Sequence, residues 1–303
     1  MDTLYTLSDL KKYDNLELLA KQVVEGYIVG LHKSPLHGFS VEFAEHRPYH
    51  VGDDFKNVDW KVYARTEKLV VKEFEEETNL RCQLILDCSS SMYFPRPDFN
   101  KLMFSVYASA ALMHVSKKQR DAVGLTILGE QIMEHTVAKS NTKHHRYLTS
   151  LLHQTLATTP NKVKTNLSDS LHLIAEQLHK RSLVIIFSDM YNNTKDQESL
   201  FSALQHLKHN KHEVVVFHVM DQNLEIDLKL NSRPYKLVDM ETGQSLKLNP
   251  NDVIEEYRKN MTNFLEDLKI NCGVLNIDFV PVDINKEFSK VLIPYFLKRS
   301  KMP

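Results

Sequence analysis

From residue 81 onward, short unbroken apolar runs alternate with longer amphipathic segments, and this alternation constrains the fold most. Gln83–Asp87, Ala122–Leu128, Leu183–Ser188 and Glu213–Val219 read as strands. Leu183–Phe187 is apolar at every position, which fits a strand covered on both faces better than one with a wet side. Between the runs, Asn100–Ser116, His144–Thr158, Leu167–His179 and Gln197–His209 carry helical spacing. Asn100–Ser116 is apolar on most sides, as expected of a helix held between layers. Strand-helix alternation of this kind predicts an α/β fold, doubly wound, with a mostly parallel sheet flanked by helices.

The flanking segments are less regular. Ser8 to about Ile28 reads as a helix with Ser8 as N-cap and Tyr13, Leu16, Ala20, Val23 and Tyr27 along one side. Residues 31–66 carry Pro35, Gly38, Pro48 and Gly52 and read as a looped excursion, followed by a strand near Leu69–Phe74. Trp60, the only tryptophan, is expected to anchor this stretch on the sheet. After residue 221, Tyr235–Asp239 and Ser245–Leu248 flank Gly243 as a hairpin. A helix opens at Pro250 behind Asn249, and a strand at Val274–Val280 precedes a last helix over Lys286–Leu297, broken at Pro294. The expected division is an N-terminal helix-and-loop extension over 1–79, packed on a main domain over 80–303 with an insertion at about 221–270.

Composition excludes several classes. Lys plus Arg number 38 against 39 Asp plus Glu, so no basic excess points to nucleic acid. The apolar runs are far shorter than the ~20 residues of a membrane helix. The N-terminus lacks the basic-then-apolar pattern of a signal peptide. Cys82, Cys88 and Cys272 cannot all pair with one another and read as reduced thiols, so a cytoplasmic protein is expected. Glycine, at 8 of 303 residues, is too scarce for a Gly-rich nucleotide loop.

The stretch that carries chemistry is Leu84-Ile85-Leu86-Asp87-Cys88-Ser89-Ser90-Ser91-Met92. An apolar strand ends in Asp-x-Ser-x-Ser. In doubly wound sheets ligands collect beyond the carboxyl ends of the strands. A carboxylate and two hydroxyls there form an all-oxygen set suited to a hard divalent cation rather than to zinc. Thr165, in Lys164-Thr165-Asn166-Leu167, and Asp189, at the end of Ile186-Phe187-Ser188-Asp189, supply matching oxygens. Taken singly each has a structural explanation: Asp87 or Thr165 as a helix cap, Ser89 and Ser91 as loop hydrogen-bonders. Their order at successive strand and helix edges favours a joint site.

In that order Asp87, Ser89, Ser91, Thr165 and Asp189 resemble the metal-ion-dependent adhesion site of von Willebrand factor A domains. The upstream text is more specific. Gly30-Leu31-His32-Lys33-Ser34-Pro35, Gly38-Phe39-Ser40-Val41-Glu42-Phe43, Arg47-Pro48-Tyr49, Gly52-Asp53-Asp54, Val58-Asp59-Trp60-Lys61-Val62-Tyr63-Ala64-Arg65 and Lys72-Glu73-Phe74-Glu75 resemble the bacterial domain of unknown function numbered 58. The resemblance covers nearly the whole chain. It departs in Cys88 after Asp87 and in the missing Gly before Thr165.

The resemblance implies a von Willebrand A-like, Rossmann-type fold and one Mg²⁺ or Mn²⁺ per chain. It further implies a non-enzymatic, metal-dependent protein-binding module that takes an acidic side chain. A MoxR-type AAA+ ATPase, or its client, would be the partner, with no transmembrane segment in this chain, in the cytoplasm or peripheral at the inner membrane through partners. The rival is a metal-dependent, phosphatase-like hydrolase using Asp87 as nucleophile. Such enzymes usually place a second Asp two residues on, where Ser89 stands.

Three other groups invite notice. His206, His209 and His212 suggest a zinc or copper site or, more simply, cations suited to a helix C-terminus. Cys88 reads as a nucleophile or a small packing residue. Asp53, Asp54 and Asp59 read as a second acidic site or as a turn with Asp59 paired to Arg47 or Arg65.

Overall fold

The computed structural model describes residues 16–27, 40–50, 58–77, 80–158, 166–191, 197–231, 233–239, 243–288, 290–292 and 294–295. The first described elements are helix α1 (Leu16–Tyr27) and strand β1 (Ser40–Pro48). Helix α2 (Trp60–Thr66) and strand β2 (Val70–Glu77) follow. β1 and β2 pair antiparallel as a separate two-stranded sheet, so part of the expected loop is a strand and a short helix. Asp59 caps α2, its Oδ1 accepting from Lys61 N and Val62 N at 3.0 and 3.2 Å. Cap use by Asp59 was not the role expected. Asp53 and Asp54 lie outside the described residues.

The main sheet starts at β3 (Arg81–Asp87). Past two 2-residue strands, β4 (Pro95–Arg96) and β5 (Phe99–Asn100), come α3 (Lys101–Gln119), β6 (Ala122–Leu128), β7 (Ile132–His135) and α4 (Thr142–Ala157). Then come α5 (Leu167–Gln177), β8 (Leu183–Ser188), α6 (Gln197–His209), β9 (Glu213–Met220) and the hairpin β10 (Tyr235–Val238) and β11 (Ser245–Leu248). Helix α7 (Pro250–Val274) and strand β12 (Asp278–Asp283) come next, and the described residues of 288–295 beyond them are helical. The strand order is β12-β9-β8-β3-β6-β7, parallel throughout except for the edge strand β7. The helix boundaries follow local chemistry. Asn100 caps α3 through Met103 N at 2.8 Å, and α7 begins at Pro250 behind Asn249 as expected. Gly243, at φ 71°, turns the β10–β11 hairpin in the left-handed region that glycine tolerates.

Both sheet faces are covered, which explains the unbroken apolar strands. Leu84, Leu86, Ile185, Phe187, Val215 and Phe217 point into one core, shared with α1, α3, α4 and the 288–295 stretch. Ile85, Val184, Ile186, Val214 and Val216 point into the other, under α5, α6 and α7. Alternate residues of each strand thus serve opposite cores. α3 is buried at every position from Lys101 to Met113, because α1 covers the side away from the sheet. Doubly wound α/β architecture, as expected, is what the chain adopts. Trp60 is not the buried anchor expected: it is 54% exposed and, among the described residues, its ring meets Tyr63 edge to face at 6.1 Å between centroids. The extension is held instead by Leu16, Leu19, Ala20 and Val24 of α1. No helix among the described residues is long and apolar enough to cross a membrane.

One polar knot sits inside the sheet. Gln83 Nε2 donates to Thr126 Oγ1 at 2.8 Å and to the Thr136 carbonyl at 3.2 Å. Gly124 makes room for it, since a Cβ there would overlap Gln83 Oε1 and the Thr136 oxygen. Gly124→Ala should therefore destabilise the fold by about 1–3 kcal/mol. Urea unfolding checks this, and a change within ~0.5 kcal/mol, the ordinary surface range, would show that the knot yields.

Candidate functional site

Strand order reverses between β3 and β8, the topological switch point at which doubly wound sheets bind ligands. β3 ends in Asp87 and β8 in Ser188, and the two strands run in register up to Leu86 beside Phe187. Ser188 Oγ donates to Asp87 Oδ2 at 2.6 Å, and Ser89 N donates to Asp87 Oδ1 at 2.8 Å. Ser89 leads into a 3₁₀ turn at Ser90–Tyr93 that brings Ser91 back, so that Ser89 Oγ and Ser91 Oγ lie 3.0 Å apart. Asp189 follows one residue after Ser188. Its Oδ1 accepts from Tyr191 N at 3.1 Å, and its carbonyl accepts from His218 Nε2 at 2.8 Å. Asp87, Ser89, Ser91 and Asp189 therefore converge as expected. Thr165 lies outside the described residues; Asn166, next to it, caps α5 through Asp169 N at 3.3 Å.

The site contains a cation of its own. Lys101 Nζ reaches Asp189 Oδ2 at 2.7 Å and Glu225 Oε1 at 2.5 Å, and Lys101 is wholly buried. Glu225 comes from a π-helical turn at Gln222–Ile226, 124 residues along the chain. Sequence reasoning missed both residues. One signal was present: Lys101 is a charged residue in a helix otherwise apolar on most sides.

Electrostatics divides the two aspartates. Burial, then the neighbouring Asp189 charge, pushes the Asp87 carboxyl up to about 6, against the bonds from Ser188 and Ser89. Burial would also raise Asp189, but the Lys101 ammonium and the bonds from Lys101, Ser91 and Tyr191 N outweigh it and hold Asp189 below the usual range. Burial pushes the His218 imidazole down to about 4, so it is neutral at pH 7 and its Nε2–H is committed to the Asp189 carbonyl. Burial and Asp87 drive the Cys88 thiol far up, the opposite of what a nucleophile needs. Both oxygens of Asp87 already accept hydrogen bonds.

The other candidates disperse. His206 faces His172, with their Nδ1 atoms 3.0 Å apart, while His212 is buried and accepts from Ser182 N at 3.2 Å. Among the described residues, no group of three or more His, Cys, Asp or Glu could hold a metal. The set at the switch point is different in kind: two carboxylates with hydroxyls. A cleft of about 460 Å³ opens beside it, lined by Cys88, Tyr93, Ile132, Met133, Leu151 and Gln154 among others.

The model of the family described as "Protein of unknown function DUF58" matches residues 45–265, from within β1 to within α7. The chain belongs to the DUF58 family. Among curated relatives, the uncharacterized proteins Mb1516 of Mycobacterium bovis and Rv1480 of Mycobacterium tuberculosis are each 27% identical over 207 residues, 68% of this chain. The chain matches 63% of their length. Similar solved structures include BatB from Bacteroides thetaiotaomicron, at a TM-score of 0.44 and 12% identity over 74% of this chain and 100% of that one. An aerotolerance-related membrane protein from Bacteroides fragilis matches at 0.41 and 14%, over 73% and 100%. The SpRpn10 VWA domain matches at 0.36 and 11%, over 71% and 94%.

Proposed function

We propose that this DUF58 protein is a non-enzymatic protein-binding module that recognises an acidic side chain through one divalent cation, Mg²⁺ or Mn²⁺. The observation that supports it is the meeting of Asp87, Ser89, Ser91 and Asp189 at the switch point of the sheet. The donors fit such an ion. All are oxygens, and the site's three carboxylates face one ammonium, a formal excess of two negative charges. Asp87, Ser89, Ser91, Thr165 and Asp189 would hold the ion. When bound, it would offer an oxygen-seeking coordination position to a partner's carboxylate, its two positive charges formally matched by the site's excess of two negatives. Around it, Ser188 and Ser89 N fix the Asp87 carboxylate, and Tyr191 N fixes Asp189. The family resemblance points to a MoxR-type AAA+ ATPase or its client as the partner.

Capture of a MoxR-type ATPase in Mg²⁺ and in EDTA tests this reading. The expected result is capture in Mg²⁺, release by EDTA and restoration by added Mg²⁺. Ser89→Ala should weaken capture by about tenfold without unfolding the protein, because it removes one loop hydroxyl, worth ~0.5–1.5 kcal/mol as an ordinary hydrogen bond and more as an ion ligand. Turnover of phosphoester substrates that Asp87→Asn abolishes, together with EDTA-insensitive capture, would overturn it.

A further inference from the structure

We propose that Lys101 is a tethered competitor for the metal: its ammonium holds Asp189 in the ion-free protein, and a bound ion must take that carboxylate from it. This rests on the metal-dependent reading above. Lys101 is the first residue of α3, directly after the Asn100 cap. A cation in a helix's first turn faces the positive end of the helix dipole, so the helix does not explain its presence. Its side chain is fully buried, and a buried ammonium persists only where charges compensate it. Compensation comes from Asp189 Oδ2 at 2.7 Å and Glu225 Oε1 at 2.5 Å, with the Phe94 ring centroid 5.9 Å from Nζ.

Glu225 is itself held from several directions. Its Oε2 accepts from Asp221 N at 2.7 Å, and its carbonyl accepts from Tyr257 Oη of α7 at 2.7 Å. Lys101 thus has a fixed second carboxylate to keep when it gives up the first. Asp189 has no such reserve: Tyr191 N occupies Oδ1 and Lys101 occupies Oδ2. An ion on Asp189 has to displace or share with the ammonium. The arrangement keeps the ion-free fold intact and makes ion binding weaker and more readily reversible than the oxygens of Asp87, Ser89, Ser91 and Asp189 alone would.

The test is calorimetric titration of Mg²⁺ and of Mn²⁺ into the full chain, with melting temperatures in EDTA and in Mg²⁺. The decisive variant is Lys101→Met with Glu225→Gln. It removes one charge of each sign, so the site keeps its formal excess of two negatives and Glu225 is not left as an unpaired buried charge, while Asp189 loses the ammonium but keeps its bonds from Tyr191 N and Ser91. This also guards against the single variant Lys101→Met failing to fold. If Lys101 competes for Asp189, the double variant should bind the ion about tenfold or more tightly than wild type, within the range of ordinary couplings between sites. Its melting temperature should also rise further on adding Mg²⁺. Equal affinity would show that Lys101 acts only through its charge, which overturns the competition and leaves the metal reading standing. An ion bound by the double variant and not by wild type would support the hold of Lys101 on Asp189 and overturn metal dependence in the native protein. Binding by neither would overturn both.

Discussion

Asp87→Asn should abolish divalent-ion binding and at the same time raise the melting temperature of the ion-free protein at pH 8. The carboxyl is buried at the end of β3, and burial and the Asp189 charge push it up to about 6 from an ordinary 3.8. A carboxyl whose folded pKa lies above its unfolded one stabilises the fold below the unfolded value. That contribution is lost as pH rises through the folded value. Through this carboxyl the ion-free wild type should lose stability relative to the Asn variant between about pH 4 and 6, on the order of 2–3 kcal/mol for a shift of this size, while His218, pushed down to about 4, gains stability with pH in both proteins. The Asn variant carries no charge there. Its amide oxygen still accepts from Ser89 N, and Ser188 Oγ is able to accept from the amide group. The stability of the variant minus that of wild type should therefore rise over this window, leaving the variant higher at pH 8. Thermal melts in EDTA from pH 4 to 8, beside a Mg²⁺ titration, read both effects. A variant that melts lower than wild type at pH 8 would show that the Asp87 charge is compensated in the ion-free site.

The second large effect lies far from the site. Leu19 on α1 is fully buried against α3, so Leu19→Ala should destabilise the protein by about 2–5 kcal/mol. Trp60→Ala should change stability by less than ~1 kcal/mol, because the indole is 54% exposed. Chemical unfolding of the two variants gives the comparison. A neutral Leu19→Ala would mean that α1 is not part of the cooperative core. The reverse order, with Trp60 the costlier loss, would restore the tryptophan as the anchor of the extension. The expected order follows from burial alone. A lone tryptophan among apolar residues looks like an anchor in sequence, yet α2 is a short helix with no buried residue.

What the sequence determined by itself is whatever short-range physics fixes. Strands covered on both faces need apolar residues at every position, so Leu183–Phe187 announced a buried parallel strand without reference to anything distant. Helix ends are set within one turn, so Pro250 at the first turn of α7, behind Asn249, was legible. Asp87, Ser89 and Ser91 are within five residues of one another, and a strand end with a 3₁₀ turn brings them together without help. In the extension β2 was legible near Leu69–Phe74, while the sequence of β1 reads as loop; the two pair with each other in a sheet apart from the main one.

The tertiary structure alone decided where long polar side chains end. His206, His209 and His212 have the spacing of a ligand set. Their directions, however, depend on α5 and β8: His206 turns to His172, and His212 turns inward to Ser182 N. Lys101 and Glu225 are 124 residues apart and nothing local pairs them. A lysine's four-carbon stem leaves its charge free to follow the packing, while its Cα position is fixed by the helix. Only the folding of α3 over the switch point brings that ammonium to Asp189. The site's oxygens are thus written in the chain, and the charge that faces them is a product of the fold.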